Sequence, residues 1–222
     1  MKHILKSLCV SIVLILITSC SSGSGGAADN QETPKETIPP LSAEEESALI
    51  SSAKSLNITY DDFDEVYVVD SKPKENCPGH AIWIQMTTTA DGSYIDASMF
   101  LYTQDDINSN IGNPSGVLFK HAGETSEFSN WNGEYLDNIP CGSFGWGYPS
   151  QHSLRTSTNF LTFMEDVFSD QTSKFRLQPD EIKSGYRDVK MTNEQRNKNL
   201  VAIKVFASIF KGQIKPQELF GK

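Results

Sequence analysis

The stretch HAIWIQMTTTADGSYIDASMFLYT, His80 to Thr103, decides the fold. In its first arm Ile82, Ile84 and Met86 alternate with Trp83 and Gln85; in its second Ile95, Ala97, Met99 and Leu101 alternate with Asp96 and Ser98. Successive strand residues point to opposite sides, so a period of two gathers the apolar residues on one face. Asp91-Gly92 supplies the turn between the arms, and the whole predicts an antiparallel hairpin with one apolar face.

That face needs a cover, and the sequence offers helices for it. Ser42-Ala-Glu-Glu45 is a capping-box signature, predicting a helix from Ala43 to about Ser55 with Leu49, Ile50 and Ala53 as its buried stripe. Glu65 to Asp70 reads as a strand and Gly116 to Lys120 as a short one. His121 to His152 contains seven glycines or prolines and little periodicity, which predicts loops. Helices are expected at Ser157 to Phe168, near Pro179 to Lys183, and at Asn193 to Lys211. In the last of these, capped by Thr192 and ended by Gly212, apolar residues leave only a narrow polar stripe of Asn197, Lys204, Ser208 and Lys211. Such a helix belongs in a core. Strands followed by helices give an α+β class: a small antiparallel sheet with a central hairpin at about 80–103, packed against C-terminal helices.

The N-terminus has a different character. Lys2 and Lys6 precede the apolar run Leu8 to Ile17, which fits the core of a secretory signal and falls short of the about 18 residues that span a bilayer. Ile17-Thr18-Ser19-Cys20 then resembles the bacterial lipobox. In that family the signal, here residues 1–19, is removed, the cysteine sulfur is joined to diacylglycerol, and the new amine is acylated. Several acyl chains give stable anchoring where one does not. The resemblance implies a membrane partner through the lipid at Cys20, and Ser21 in place of Asp after the cysteine implies the outer membrane. Residues 20–40 are small, polar and proline-terminated, a flexible tether with a reach of roughly 25 Å. The globular domain is expected over residues 41–222.

With Cys9 lost with the signal and Cys20 acylated, Cys77 and Cys141 remain, and in an exported chain two thiols read as one disulfide. A metal site with His80, His121 or His152 is the alternative, but the sequence holds no closely spaced Cys/His pairs. No cofactor motif appears.

The 222-residue chain has a net charge of −9, so binding to nucleic-acid phosphates is disfavoured. Its charge is divided: Ser173 to Lys222 carries 11 basic against 5 acidic residues, Cys20 to Thr172 carries 6 against 23. Such asymmetry marks either an interaction surface or a basic layer folded on an acidic body.

Chemistry-bearing candidates are few. Phe128 to His152 concentrates aromatic residues among glycines, and Trp131, Tyr135, Trp146, Tyr148 and His152 are the candidate ligand-binding set, suited to stacking on a glycan; packing of the loop's own underside is the alternative. Cys141-Gly-Ser143-Phe-Gly145 departs from a nucleophile elbow at its first position. Asp106 to Val117 alternates oxygen side chains but lacks the glycine spacing and final glutamate of a calcium loop. Asp61 to Glu65 reads as a solvated acidic entry to a strand. The expectation is a non-enzymatic, lipid-anchored envelope protein, bound to a protein or glycan partner; a small hydrolase using His80, His121 or His152 and a glycan-binding module are the alternatives.

Overall fold

A computed structural model describes residues 39–221 apart from residues 76, 107–112, 129–133, 142–144, 155–157 and 180–184. The lipobox and most of the expected tether therefore lie outside the described residues.

The hairpin forms as its pattern dictates. Strand β3 (Ala81–Thr89) pairs antiparallel with β4 (Ile95–Asp106) in a register that sets Ala81 opposite Tyr102, Trp83 opposite Phe100 and Thr88 opposite Ile95. Ile82, Ile84, Met86, Ile95, Ala97, Met99 and Leu101 all enter the main core. At the turn Gly92 sits at φ +76°, and a Cβ there would also meet Cδ of Pro216 at 3.2 Å, so the position requires glycine twice over. Asp91 accepts from the Thr89 hydroxyl at 2.7 Å and from the Ser93 amide at 3.0 Å, and these bonds hold its carboxyl down to about 2.

Around this hairpin the sheet is larger than its sequence signal. β1 (Asn57–Asp61) and β2 (Val66–Asp70) add to one side. On the other side β9 (Gly145–Ser153) pairs with β4 over nine positions, from Ser98 opposite Ser153 to Asp106 opposite Gly145. β7 (Glu134–Tyr135) and β8 (Ile139–Cys141) both pair with β9 and complete a seven-stranded antiparallel sheet. The expected loop from His121 to His152 is thus corrected to strands. Gly-Trp-Gly-Tyr-Pro has no apolar alternation, and cross-strand pairing overrides its weak propensity. Pro149 falls in the gap between the β8 and β7 partners, the kind of interrupted ladder where proline is admitted.

A second, four-stranded sheet runs in the order β11 (Arg187–Val189), β10 (Lys174–Pro179), β5 (Pro114–His121), β6 (Glu124–Phe128). Strand β5 is the one expected near Gly116 to Lys120. The short helix expected near Pro179 to Lys183 is not found at its first residue: Pro179 closes β10, while 180–184 lie outside the described residues.

Among the described residues four helices complete the α+β fold: α1 (Ala43–Ala53), α2 (Thr158–Ser169), α3 (Asn193–Phe210) and α4 (Pro216–Phe220). The caps act as expected: Ser42 and Glu45 make a reciprocal capping box, and Thr192 accepts from the Gln195 amide. α3 is the core helix the sequence implies, with Ile203, Val205 and Phe206 fully buried. It also buries polar residues that periodicity does not reveal. Asn199 donates to the Ile82 carbonyl at 3.0 Å and accepts from Ser71 Oγ at 2.6 Å, tying helix to sheet. Arg196 donates to the carbonyls of Val167, Asp170 and Ser173, neutralising the C-terminal end of α2. The inner face of the four-stranded sheet packs through Phe119 and Phe175 against Phe163 and Phe168 of α2.

Candidate functional site

Cys77 and Cys141 form a disulfide across 64 residues, with Cα atoms 5.8 Å apart. It joins the segment before β3 to the end of β8 and lays it over the far side of the hairpin. That side is not the polar face expected from alternation: Trp83 and Phe100 stack with centroids 5.2 Å apart, and with Ala81, Tyr102 and Cys141 they make a second apolar cluster. The Tyr102 hydroxyl lies 2.9 Å from the Cys141 sulfur, and burial raises its pKa.

The candidate aromatic set is partly gathered on two neighbouring strands of the larger sheet. Trp146, Tyr148 and His152 lie on β9, opposite Asp105, Thr103 and Met99, and Tyr135 lies on β7 opposite Ser150. Trp146 is 38% exposed, enough for a stacking surface. Trp131 lies outside the described residues.

A serine, a histidine and an aspartate do meet, though not the ones the loop suggested. His121 Nδ1, at the end of β5, is 3.0 Å from Asp170 Oδ2 and 3.0 Å from Ser173 Oγ. A proton relay needs the nucleophile on one ring nitrogen and the carboxylate on the other. Here both contact the same nitrogen, and Ser173 is buried at 4% exposure. The Thr172 hydroxyl and amide bind Asp170 at 2.7 and 2.8 Å and, with His121 and Ser173, hold its carboxyl down to about 2. The group is an anchored acidic turn rather than a nucleophile's base. Among the described residues no cluster of three or more His, Cys, Asp or Glu could hold a metal ion.

The strongest surface feature lies on the outer face of the four-stranded sheet. Alternation along β10 puts Phe175 and Leu177 inward and Lys174, Arg176 and Gln178 outward. Two of these outward residues are matched: Arg176 forms a two-bond pair with Asp188, and Gln178 donates to Glu127 at 2.7 Å. The third is not. Lys174 sits directly opposite Lys120 of β5, and Lys190, one step past the Val189–Phe175 pair, comes alongside it. All three lysines are exposed, and none has a carboxylate within ion-pair distance among the described residues. They line a groove of about 660 Å³ with Thr125, Leu118 and Met191. A neighbouring cleft of about 280 Å³, sharing Lys190, adds Lys74, His80, Gln195 and Lys198, the last paired with Glu194 at 3.2 Å.

Candidate reading from sequence missed this row because β10 and β11 were not anticipated as strands. Its one signal was the basic excess after Ser173, of which Lys174 and Lys190 are part. No protein-family model matches the chain, and no curated protein or solved structure is found to be similar to it.

Proposed function

We propose that this is a lipid-anchored protein of the bacterial cell envelope, carried to the outer membrane, whose tethered α+β domain binds a partner and does not catalyse a reaction. The observation that supports it best is the Cys77–Cys141 disulfide. It uses both cysteines that the lipobox arrangement leaves over, as an oxidising, exported environment requires, and sets Cys20 apart as the residue for lipid. The geometry of His121, Asp170 and Ser173 favours binding over hydrolysis, since no nucleophile stands on the free ring nitrogen in that group. The unmatched basic face offers a binding surface in a chain that is acidic as a whole.

The test is metabolic labelling with an alkyne fatty acid, followed by in-cell crosslinking of the mature protein. Label on Cys20 that disappears in Cys20→Ser, together with crosslinks from the domain to one envelope component, is the expected result. An unlabelled protein in the soluble fraction would overturn the anchoring. Turnover of an envelope substrate that is lost when His121 is replaced, with folding intact, would overturn the non-enzymatic role.

A second reading is favoured by one observation, the exposure of Trp146 on β9: a glycan-binding module. Trp146→Ala would then abolish retention on the peptidoglycan fraction while leaving the fold unchanged.

A further inference from the structure

We infer that the outer face of the four-stranded sheet docks on an anionic phospholipid surface, with Lys120, Lys174 and Lys190 as its contact row. The inference rests on the lipid anchoring proposed above and names what the tethered domain meets.

Like charges directly opposite one another on a sheet face are destabilising, and natural sheets pair opposite charges there. This same face does so one row away, where Arg176 meets Asp188. The row Lys190, Lys174, Lys120 repeats one sign from the residue just past β11 across β10 and β5 and ends at Thr125, the partner of Lys120. At a strand spacing of about 4.8 Å the three ammonium groups span roughly 10 Å, and the carboxylate that reaches Lys174 electrostatically, Asp188, is itself paired with Arg176.

The form of the site selects a surface rather than a small molecule. The lysines stand exposed along the groove on the sheet's outer face. Their long stems reach outward past Leu118, the apolar residue opposite Arg176 in the next row, so each ammonium group can meet a headgroup phosphate while its methylenes stay against the sheet. Charge selects the orientation: with a net charge of −9 the chain is repelled by an anionic bilayer in general, and this row gathers three lysines that meet no carboxylate at ion-pair distance among the described residues. Attraction fades within about 8 Å at physiological salt, and a tether reaching roughly 25 Å brings the face inside that range.

The experiment uses the full acylated protein in two sets of vesicles, one of phosphatidylcholine alone and one containing about 30 mol% phosphatidylglycerol. Lysine acetylation is followed residue by residue by mass spectrometry. Lys120, Lys174 and Lys190 should react about fivefold more slowly on the anionic vesicles, roughly the factor one near-surface cation is worth, while Lys204 and Lys215 react equally on both. The protection should vanish at 0.5 M salt, and in K120Q/K190Q, whose exposed substitutions leave the core untouched, the remaining Lys174 should lose it. Equal rates on the two vesicles overturn the inference. Equal protection by soluble tripolyphosphate without vesicles also overturns it, since the row then takes any polyanion. A Cys20 peptide without acyl mass sinks the anchoring instead, and the face is then read by mixing the same protein with the vesicles: selective protection of the three lysines by the anionic set upholds it, and its absence overturns it.

Discussion

The two sheets of this domain are finished differently. The seven-stranded sheet is covered on both sides of its central hairpin, by helices over Ile84 and Met99 and by the disulfide-clipped segment over Trp83 and Phe100. Among the described residues the four-stranded sheet is covered on one side, by α2 over Phe119 and Phe175, and its other side presents a row of exposed lysines of one sign. Where both faces are covered, apolar packing and buried hydrogen bonds determine every position. Where one face is free, the residues there are not needed for folding, and an arrangement that works against folding, such as Lys174 opposite Lys120, points to use.

The comparison breaks most visibly at the disulfide. Replacing Cys77 and Cys141 by alanine together should cost up to about 4 kcal/mol in the chain-entropy account of a 64-residue separation, measured by urea denaturation. Trp83 fluorescence should shift to the red in the folded variant, because the outer cover of the hairpin is loosened while the inner core is not. A loss below about 1 kcal/mol would mean that β8 holds that cover without the bond.

Next in size is Arg196→Met. The side chain supplies the donors for three carbonyls around the end of α2, and methionine fills similar volume without them. Burial lowers the pKa of this guanidinium, and its bonds to carbonyls offset that cost of desolvation. About 3 kcal/mol should be lost, with α2 and the inner face of the four-stranded sheet losing amide-exchange protection first. Asn199→Leu removes the donor to the Ile82 carbonyl and the acceptor of Ser71, and about 2 kcal/mol should be lost on the seven-stranded side. If the two variants melted the same elements, the sheets would be one cooperative unit and the contrast between them would be one of surface alone.

Acid sharpens the comparison, because each sheet has beside it one carboxylate held to about 2, while Asp188 on β11 is lowered as well by its bond from Arg176. Asp91 at the hairpin turn and Asp170 beside His121 are both held to about 2. A folded value below the ordinary one, about 3.9, means stability that is present above pH 4 and lost as pH falls from about 4 toward 2. Asp91→Asn and Asp170→Asn should each flatten the fall of the denaturation midpoint over that window, and the double variant should flatten it further. A fall of unchanged steepness in both would show that other carboxylates set the acid limit.

The covered sheet was the legible one. Its hairpin announces itself by alternation over two long arms, and α1 and α3 by their caps, Ser42 and Thr192. β9 was not legible, since Gly145 to Ser153 pairs through backbone groups and carries no apolar period of its own. β10 does alternate, Lys174, Phe175, Arg176, Leu177, Gln178, but five residues are too few to separate a strand from a loop by periodicity. The basic excess after Ser173 could be counted, yet which lysines meet depends on the register between β5, β10 and β11, and Lys120 comes from the acidic part of the chain. The disulfide was readable because removing Cys9 and Cys20 from the count left a single pair.

The smallest effect tests the contrast most directly. If Lys174 is held between Lys120 and Lys190 against folding, Lys174→Ala should stabilise the domain, whereas an ordinary surface lysine replaced by alanine in a strand gains nothing. The gain expected from removing like charges opposite one another is up to about 0.5 kcal/mol at low salt, and screening should erase it above about 0.5 M. Lys204→Ala, on exposed α3 surface, is the reference and should show no such salt dependence. A salt-dependent gain at position 174 that anionic vesicles reverse would tie the strain of the free face to its ligand. A Lys174→Ala variant less stable than the parent at every salt concentration would mean that the row is favourable to folding as it stands and that its charge carries no message about a partner.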